Sequence, residues 1–226
     1  MNNLHRKFGW QKLLKRLIDI STALVLLALL LPIILFVVLT ILVLEGRPIF
    51  YVSKRLISLN EEISILKFRT MVRDAKSLKY DLHGRFMNDG YLDIPIDCEV
   101  YTRIGRILER TQFVETLQLI NILFHRVSLI GNRPLPANNV NELRKLEKWE
   151  ERFFSPAGMT GIAQVVGKFN LKPVDRLELE SMYSRVYNEG NVIKCDFAII
   201  YYTIRLLLLG KTLPFEEAQS LLKKCM

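Results

Sequence analysis

The 226-residue chain carries 32 Lys and Arg against 23 Asp and Glu, a net charge of +9, which directs it toward anionic partners: nucleic acid, anionic lipid or phosphorylated small molecules. Three cysteines, odd in number and without a CxxC spacing, exclude a disulfide framework and a cysteine zinc site, and three histidines exclude a histidine-rich metal centre. The cysteine usage fits a reducing, cytosolic environment.

Residues 12–19 read as a basic amphipathic lead-in, with Trp10 and the Lys and Arg side chains suited to the headgroup region of a membrane. Arg16 and Asp19, three apart, are expected to pair on one helix face. Residues 20–44 contain no charged side chain. A helix of that length spans roughly 37 Å at ~1.5 Å per residue, more than the ~30 Å hydrocarbon core of a bilayer. The run is longer than the apolar region of a cleaved signal peptide and continues into Glu45-Gly46-Arg47-Pro48, so a retained membrane anchor is predicted. Beside such an anchor, the positive charge points to lipid headgroups and phosphates and away from nucleic acid. Both flanks are basic, with Arg6, Lys7, Lys12, Lys15 and Arg16 before the run and Arg47, Lys54 and Arg55 after it, so charge bias does not orient it. Pro32 removes the backbone hydrogen bond to the Ala28 carbonyl and predicts a kink. A segment that re-enters one leaflet and a single span that tolerates its proline both satisfy these residues.

Residues 48–52 and 63–68 have the composition of two strands, with Asn60-Glu61 as turn chemistry between them. The hairpin they form would deliver Lys67, Arg69 and Thr70 as a phosphate-binding cluster. Residues 72–97 are polar and turn-rich, with a short helix expected over 74–82 and a loop at Asn88-Asp89-Gly90. Over residues 102–124, Ile104, Ile107, Leu108, Phe113, Leu117, Ile120 and Leu123 recur at helical spacing. Arg103, Arg106 and Arg110 form a basic stripe there, able to face headgroups or a pyrophosphate. Gly131-Asn132-Arg133-Pro134-Leu135-Pro136 is a rigid turn that presents Arg133. Asn138 is expected to cap a helix running to about residue 154. A second turn at 156–161 leads to a strand-like run at 162–166, and Asp175 starts another helix. Residues 192–209 are apolar but interrupted by Lys194, Asp196 and Arg205, which favours a buried or interfacial helix over a second span. With no linker or repeat, the chain divides into an anchor (1–47), one domain (48–210) and a tail (211–226).

Several strings now align in order: Lys15-Arg16-Leu17-Ile18-Asp19 before an apolar run containing Pro32; Lys67-Phe68-Arg69-Thr70-Met71 with Asp74-Ala75; Thr102-Arg103-Ile104-Gly105-Arg106; Gln118-Leu119-Ile120-Asn121-Ile122-Leu123; Ser128-Leu129-Ile130-Gly131-Asn132-Arg133-Pro134; Gly158-Met159-Thr160-Gly161 with Gln164-Val165; and Asp196. Together they resemble the bacterial sugar transferase family. These are the monotopic polyprenyl-phosphate phosphoglycosyl transferases that start exopolysaccharide, O-antigen and glycoprotein glycan assembly. The resemblance implies an α+β fold with a re-entrant N-terminal helix kinked at Pro32, a small β-hairpin, and amphipathic helices lying on the membrane surface. It also implies a domain on the cytoplasmic face of the bacterial inner membrane, dependence on Mg²⁺, and transfer of a sugar 1-phosphate from a UDP-sugar to undecaprenyl phosphate, with UMP leaving.

The departures from the family pattern bear on the chemistry. The family carries an Asp-Glu dyad whose Asp attacks the β-phosphate and whose Glu is associated with Mg²⁺; here the Asp position is Val114, Glu115 keeps the second position, and a following proline is Leu117. Valine has no lone pair and cannot be a nucleophile. A family Asp-Pro-Arg string is Cys98-Glu99-Val100, two hairpin glycines are Ile57 and Asn60, and the first proline of a Gly-Pro-Arg-Pro turn is Asn132. An active transferase then requires a nucleophile moved to Glu115 or direct attack by the lipid phosphate. The alternative is an inactive relative serving as partner or regulator of other glycan-assembly enzymes. A peripheral protein without ligand chemistry leaves Arg133 and Lys67 unexplained. On the first reading Glu115 coordinates Mg²⁺ or attacks, Arg133 grips the sugar diphosphate bidentately, and Lys67, Arg69 and Arg103 neutralise neighbouring phosphate oxygens. Anionic lipids and other glycan-assembly enzymes are the further partners expected.

Overall fold

A computed structural model describes residues 2–88, 91–167 and 171–226. Helix α1, Asn2–Leu44, runs unbroken through Pro32. It is the one described helix long and apolar enough to cross a membrane. Its buried positions, Gln11, Lys15, Asp19 and Ala23, and further on Ile34 and Ile41, mark one face, while Leu24, Leu29, Phe36, Leu39 and Val43 stand exposed. The four-residue spacing of the first group is that of one helix side. This face packs against the domain at intervals from Gln11 to Ile41. Ala23, Leu26 and Leu30 meet Ile63, Ile65, Leu119 and Ile122, and Ile34 and Ile41 meet Phe68, Leu108 and Leu117.

Polar contacts fasten the N-terminal part of α1 to the domain. Lys15 Nζ lies 2.6 Å from Asp196 Oδ2 and donates to the Ile130 carbonyl at 2.9 Å. Tyr183 Oη donates to the other Asp196 oxygen at 2.8 Å. Burial pushes the Asp196 carboxyl up, and Lys15 and Tyr183 pull it back toward the charged form. The Arg16–Asp19 pair expected from spacing does not form. Arg16 donates to the Ile122 carbonyl at 2.6 Å, and Asp19 accepts from Ser128 Oγ at 2.6 Å and the Leu129 amide at 3.1 Å. Tertiary acceptors on the docked domain displace the local one.

Strands β1 (Phe50–Leu56) and β2 (Glu62–Phe68) form the expected antiparallel hairpin, with Tyr51 opposite Lys67 and Leu56 opposite Glu62. The helix expected over 74–82 is absent. That stretch is a series of turns, and α2 (Leu82–Phe86) begins only where Asp81 accepts from the Gly84 amide. Strands β3 (Met87–Asn88) and β4 (Tyr91–Leu92) pair with each other; of the loop expected at Asn88-Asp89-Gly90, Asp89 and Gly90 lie outside the described residues. The helical spacing over 102–124 resolves into α3 (Arg103–Arg110), a 3-10 turn at Phe113–Glu115 and α4 (Gln118–Leu123). Gln112, at φ 57°, breaks the helix between the first two. Thr102 caps α3 by accepting from the Gly105 amide at 2.9 Å.

Strand β5 (Ser128–Ile130) pairs in parallel with β6 (Gly158–Thr160). A Cβ on Gly158 would stand 2.1 Å from the Gly131 amide nitrogen, so a side chain there would push the two backbones apart. The long helix expected from Asn138 is instead α5 (Ala137–Leu143), entered from Pro136 without a side-chain cap. A separate 3-10 turn follows at Trp149–Phe154, entered through Lys148 at φ 57°. Residues 162–166, expected as a strand, form helix α6 (Ile162–Val166), whose first turn closes onto the Gly161 carbonyl. Ile162, Ala163, Val165 and Val166 are all buried. A run this short, with four apolar residues out of five, carries no period from which strand and helix can be told apart.

Helices α7 (Pro173–Glu189) and α8 (Val192–Leu209) complete the main core with α6. Residues 211–226, read from sequence as a tail, contain α9 (Phe215–Lys223), which adds Ala218 and Leu222 to that core. The outer side of α8 exposes Phe197, Tyr201, Ile204, Leu207, Leu208 and Leu209.

Lys15→Met would leave Asp196 buried without its cation, a change that typically costs about 3–5 kcal/mol. The thermal midpoint in detergent is expected to fall accordingly, and the apolar double replacement Lys15→Met/Asp196→Leu to recover most of the loss.

Candidate functional site

The hairpin end, the 3-10 turn and the turn after β5 converge on one carboxylate. Glu115 Oε1 accepts from Lys67 Nζ at 2.8 Å, and Arg133 brings both terminal nitrogens to Glu115, Nη1 at 3.1 Å from Oε2 and Nη2 against Oε1. All three side chains are at least four-fifths buried. Burial by itself would raise the Glu115 pKa, but Arg133 and then Lys67 outweigh it and hold the carboxyl far below the usual carboxylate range. Lys67 is pushed down, first by desolvation and also by Arg133, while Glu115 pulls it up. Arg133 is raised chiefly by Glu115.

A third cation, seen in the sequence only as a flank charge, joins this group. Arg55 is half-buried on β1, and the Leu56 amide beside it donates to the Leu135 carbonyl at 2.9 Å, which brings β1 to the Arg133 turn. Desolvation and then repulsion from Arg133 lower its pKa, against attraction by Glu115. Lys67 and Arg133 therefore share the Glu115 carboxylate in direct contact, and Arg55 stands near enough to feel both Arg133 and Glu115, so the group is net positive. Glu109 acts on Arg133 more weakly and accepts from Thr70 Oγ1 at 3.0 Å. Such a concentration of positive charge favours an anion. Arg55 escapes a reading by periodicity because only the bridge from β1 to Leu135 brings it in.

Two of the residues expected in the phosphate cluster lie elsewhere. Arg69 turns to the end of α1, where Nη2 donates to the carbonyls of Glu45 and Gly46, each at 3.2 Å, and stands 3.4 Å from Glu45 Oε2. Carbonyls at a helix C-terminus lack intrahelical partners and attract cations, which accounts for the diversion. Arg103 is exposed in the first turn of α3, and its side chain has no hydrogen bond or ion pair among the described residues. Val114, next to Glu115, is only 3% exposed and packs in the apolar cluster of Phe68, Leu108, Leu117 and the α1 residues Ile34 and Ile41.

The family model described as Bacterial sugar transferase matches residues 10–210. The chain belongs to the bacterial sugar transferase family. It is 30% identical over 212 residues to a UDP-galactose-lipid carrier transferase of Erwinia amylovora, an alignment covering 92% of this chain and 42% of the relative. It is 28% identical over 200 residues to the UDP-N-acetylgalactosamine-undecaprenyl-phosphate N-acetylgalactosaminephosphotransferase of Aeromonas hydrophila, covering 87% and 44%. To the exopolysaccharide production protein PSS of Rhizobium leguminosarum bv. phaseoli it is 31% identical over 198 residues, covering 84% and 93%. The chain thus spans less than half the length of the first two relatives and nearly all of the third.

Because the Glu115 pKa is depressed by folding, its ionisation stabilises the native state above the ordinary glutamate pKa of about 4.3, and that contribution is lost as pH falls toward the folded value. The stability difference between the native protein and Glu115→Gln in urea titrations is expected to be full at neutral pH and to shrink progressively below about pH 4.

Proposed function

We propose that this protein transfers a sugar 1-phosphate from a UDP-sugar to a polyprenyl phosphate at the cytoplasmic face of a bacterial inner membrane, as a first step of extracellular glycan assembly. The observation that carries this reading is the buried contact of Lys67 and Arg133 on Glu115, with Arg55 on the neighbouring strand adding positive charge. The activities printed for the relatives from Erwinia and Aeromonas support the substrate class. In this reading Lys67, Arg133 and Arg55 exchange part of their attraction to Glu115 for the diphosphate oxygens and spread the charge that develops on phosphoryl transfer.

The attack step follows from Val114 and Glu115. Val114 offers no electron pair, and both Glu115 oxygens are engaged by cations. A phosphate oxygen of the polyprenyl phosphate therefore attacks the β-phosphorus in line. One oxygen–phosphorus bond forms, the bond from the β-phosphorus to the bridging oxygen breaks, and UMP leaves with that oxygen. Positioning and charge neutralisation are what such a displacement requires. The Mg²⁺ implied by the family resemblance does not fit the donor set as it stands. Glu115, the carboxylate that would meet it, has both oxygens engaged by Lys67 and Arg133.

The anchor is proposed to re-enter one leaflet. Both ends of α1 contact the same domain, through Lys12 to Asn188 at 2.8 Å and Lys15 to Asp196 near the start and through Glu45 and Gly46 to Arg69 at the end. A straight crossing would separate those points by about 30 Å of hydrocarbon and draw polar parts of the domain into lipid. The exposed apolar side of α8 lies in the interface on this reading, with basic side chains facing anionic headgroups. Other glycan-assembly enzymes would consume the polyprenyl-diphosphate sugar.

UMP release from a panel of UDP-sugars, by the full chain with undecaprenyl phosphate, tests the proposal. Native turnover is expected, falling on the order of 10²-fold in Arg133→Ala. Silence of the native chain with every sugar, or turnover that appears only in Val114→Asp, overturns it. For the anchor, single cysteines replacing Trp10 and Ser58 are expected to label from the same side of sealed vesicles; opposite accessibility removes the re-entrant arrangement.

A further inference from the structure

Behind the cation cluster, the backbone of Arg133 is held by a second, fully buried set of polar groups. Arg152, in the 3-10 turn at Trp149–Phe154, donates through Nη2 to the Arg133 carbonyl at 2.8 Å and through Nε to Glu180 Oε2 of α7 at 2.7 Å. The side chains of Arg152 and Glu180 are 1% and 0% exposed. Asn132, the residue before Arg133, lies with Nδ2 2.8 Å from the Arg152 carbonyl and 3.0 Å from the Glu180 carbonyl, with Ser155 Oγ and Ser184 Oγ at 3.1 and 3.2 Å.

Holding α7 against this turn does not require charge. Each buried ion is desolvated at a cost of several kcal/mol, and well-packed apolar side chains of similar volume often serve stability equally well. What Arg152 adds is direction. Its planar guanidinium presents N–H groups in a fixed fork, so an edge locked on Glu180 also fixes the N–H aimed at the Arg133 carbonyl. The Asn132 amide ties the preceding residue to the same two elements. Restraint that a proline at position 132 would supply through its ring comes here from a side chain.

We infer that Asn132, Arg152 and Glu180 are positioning residues for Arg133: they touch no substrate, and they set the reach and angle at which its guanidinium meets the diphosphate of a nucleotide-sugar. This rests on the transferase reading, and it makes the effect of all three conditional on Arg133.

The test is a cycle in the full-length protein with three readouts: thermal midpoint, KM for the UDP-sugar, and Kd for UDP. The charge-neutral pair Arg152→Met/Glu180→Leu is expected to keep a near-native midpoint while raising KM and Kd by roughly 10- to 100-fold, the scale of hydrogen bonds to charged groups. Introduced into an Arg133→Ala background, the same pair is expected to change Kd by less than about threefold, because groups acting through one residue are not additive. Asn132→Ala, which removes the amide without touching the ion pair, is expected to show a smaller loss with the same dependence on Arg133, and it carries the test if the double replacement fails to fold. Native turnover together with equal losses in both backgrounds, or with no loss in either variant, overturns the positioning role alone. A native chain that releases no UMP from any UDP-sugar overturns the transferase reading and this inference with it.

Discussion

A long apolar helix has to keep one face dry against a basic domain while the other stays available to lipid, and the buried Lys15–Asp196 contact is where that requirement is most sharply met. Two charges are withdrawn from water between α1 and α8, and they persist because the Ile130 carbonyl and Tyr183 Oη satisfy their remaining valences. Ile130 is also the last residue of β5, one step before the turn that presents Arg133. The polar group that fastens the anchor therefore grips the base of the loop that builds the site.

The same economy governs the 3-10 turn at Phe113–Glu115. Adjacent residues face opposite worlds there, Val114 into the apolar cluster shared with Ile34 and Ile41 of α1, and Glu115 toward Lys67 and Arg133. A displacement of α1 along its own axis would bear directly on the turn that carries Glu115. The cluster keeps more positive than negative charge, and Glu115 spares its cations an unpaired burial. Arg69, by contrast, is spent on the end of α1, so one string of the sequence, Lys67-Phe68-Arg69, serves the site with its first residue and the anchor with its last.

Several of these features are legible without coordinates, and each rests on chemistry local in the chain. The uncharged run from residue 20 to 44 is long because a bilayer is thick. The β1–β2 hairpin follows from alternation around a turn, and the placing of Arg133 from a turn rich in glycine and proline. The catalytic family was legible too, through ordered strings spread over most of the chain, and the match over residues 10–210 agrees with it.

What only the tertiary structure decided was the choice among partners that the chain brings from far away. Arg16 and Asp19 stand at pairing distance in sequence, yet each finds a better acceptor or donor on the docked domain. Arg55 and Arg152 have no local pattern that marks them. Their roles exist because β1 bridges to Leu135 and because α7 carries Glu180 beneath the Arg133 turn. The run at 162–166 is helical, and burial of its four apolar residues erases the periodicity by which sequence distinguishes strand from helix. Sequence by itself determined the anchor, the hairpin and the turn, since length, alternation and ring constraint act between neighbours. The pairing of buried charges was left to the fold, because in a medium of low dielectric a charged group is committed by whichever partners packing places within hydrogen-bonding distance.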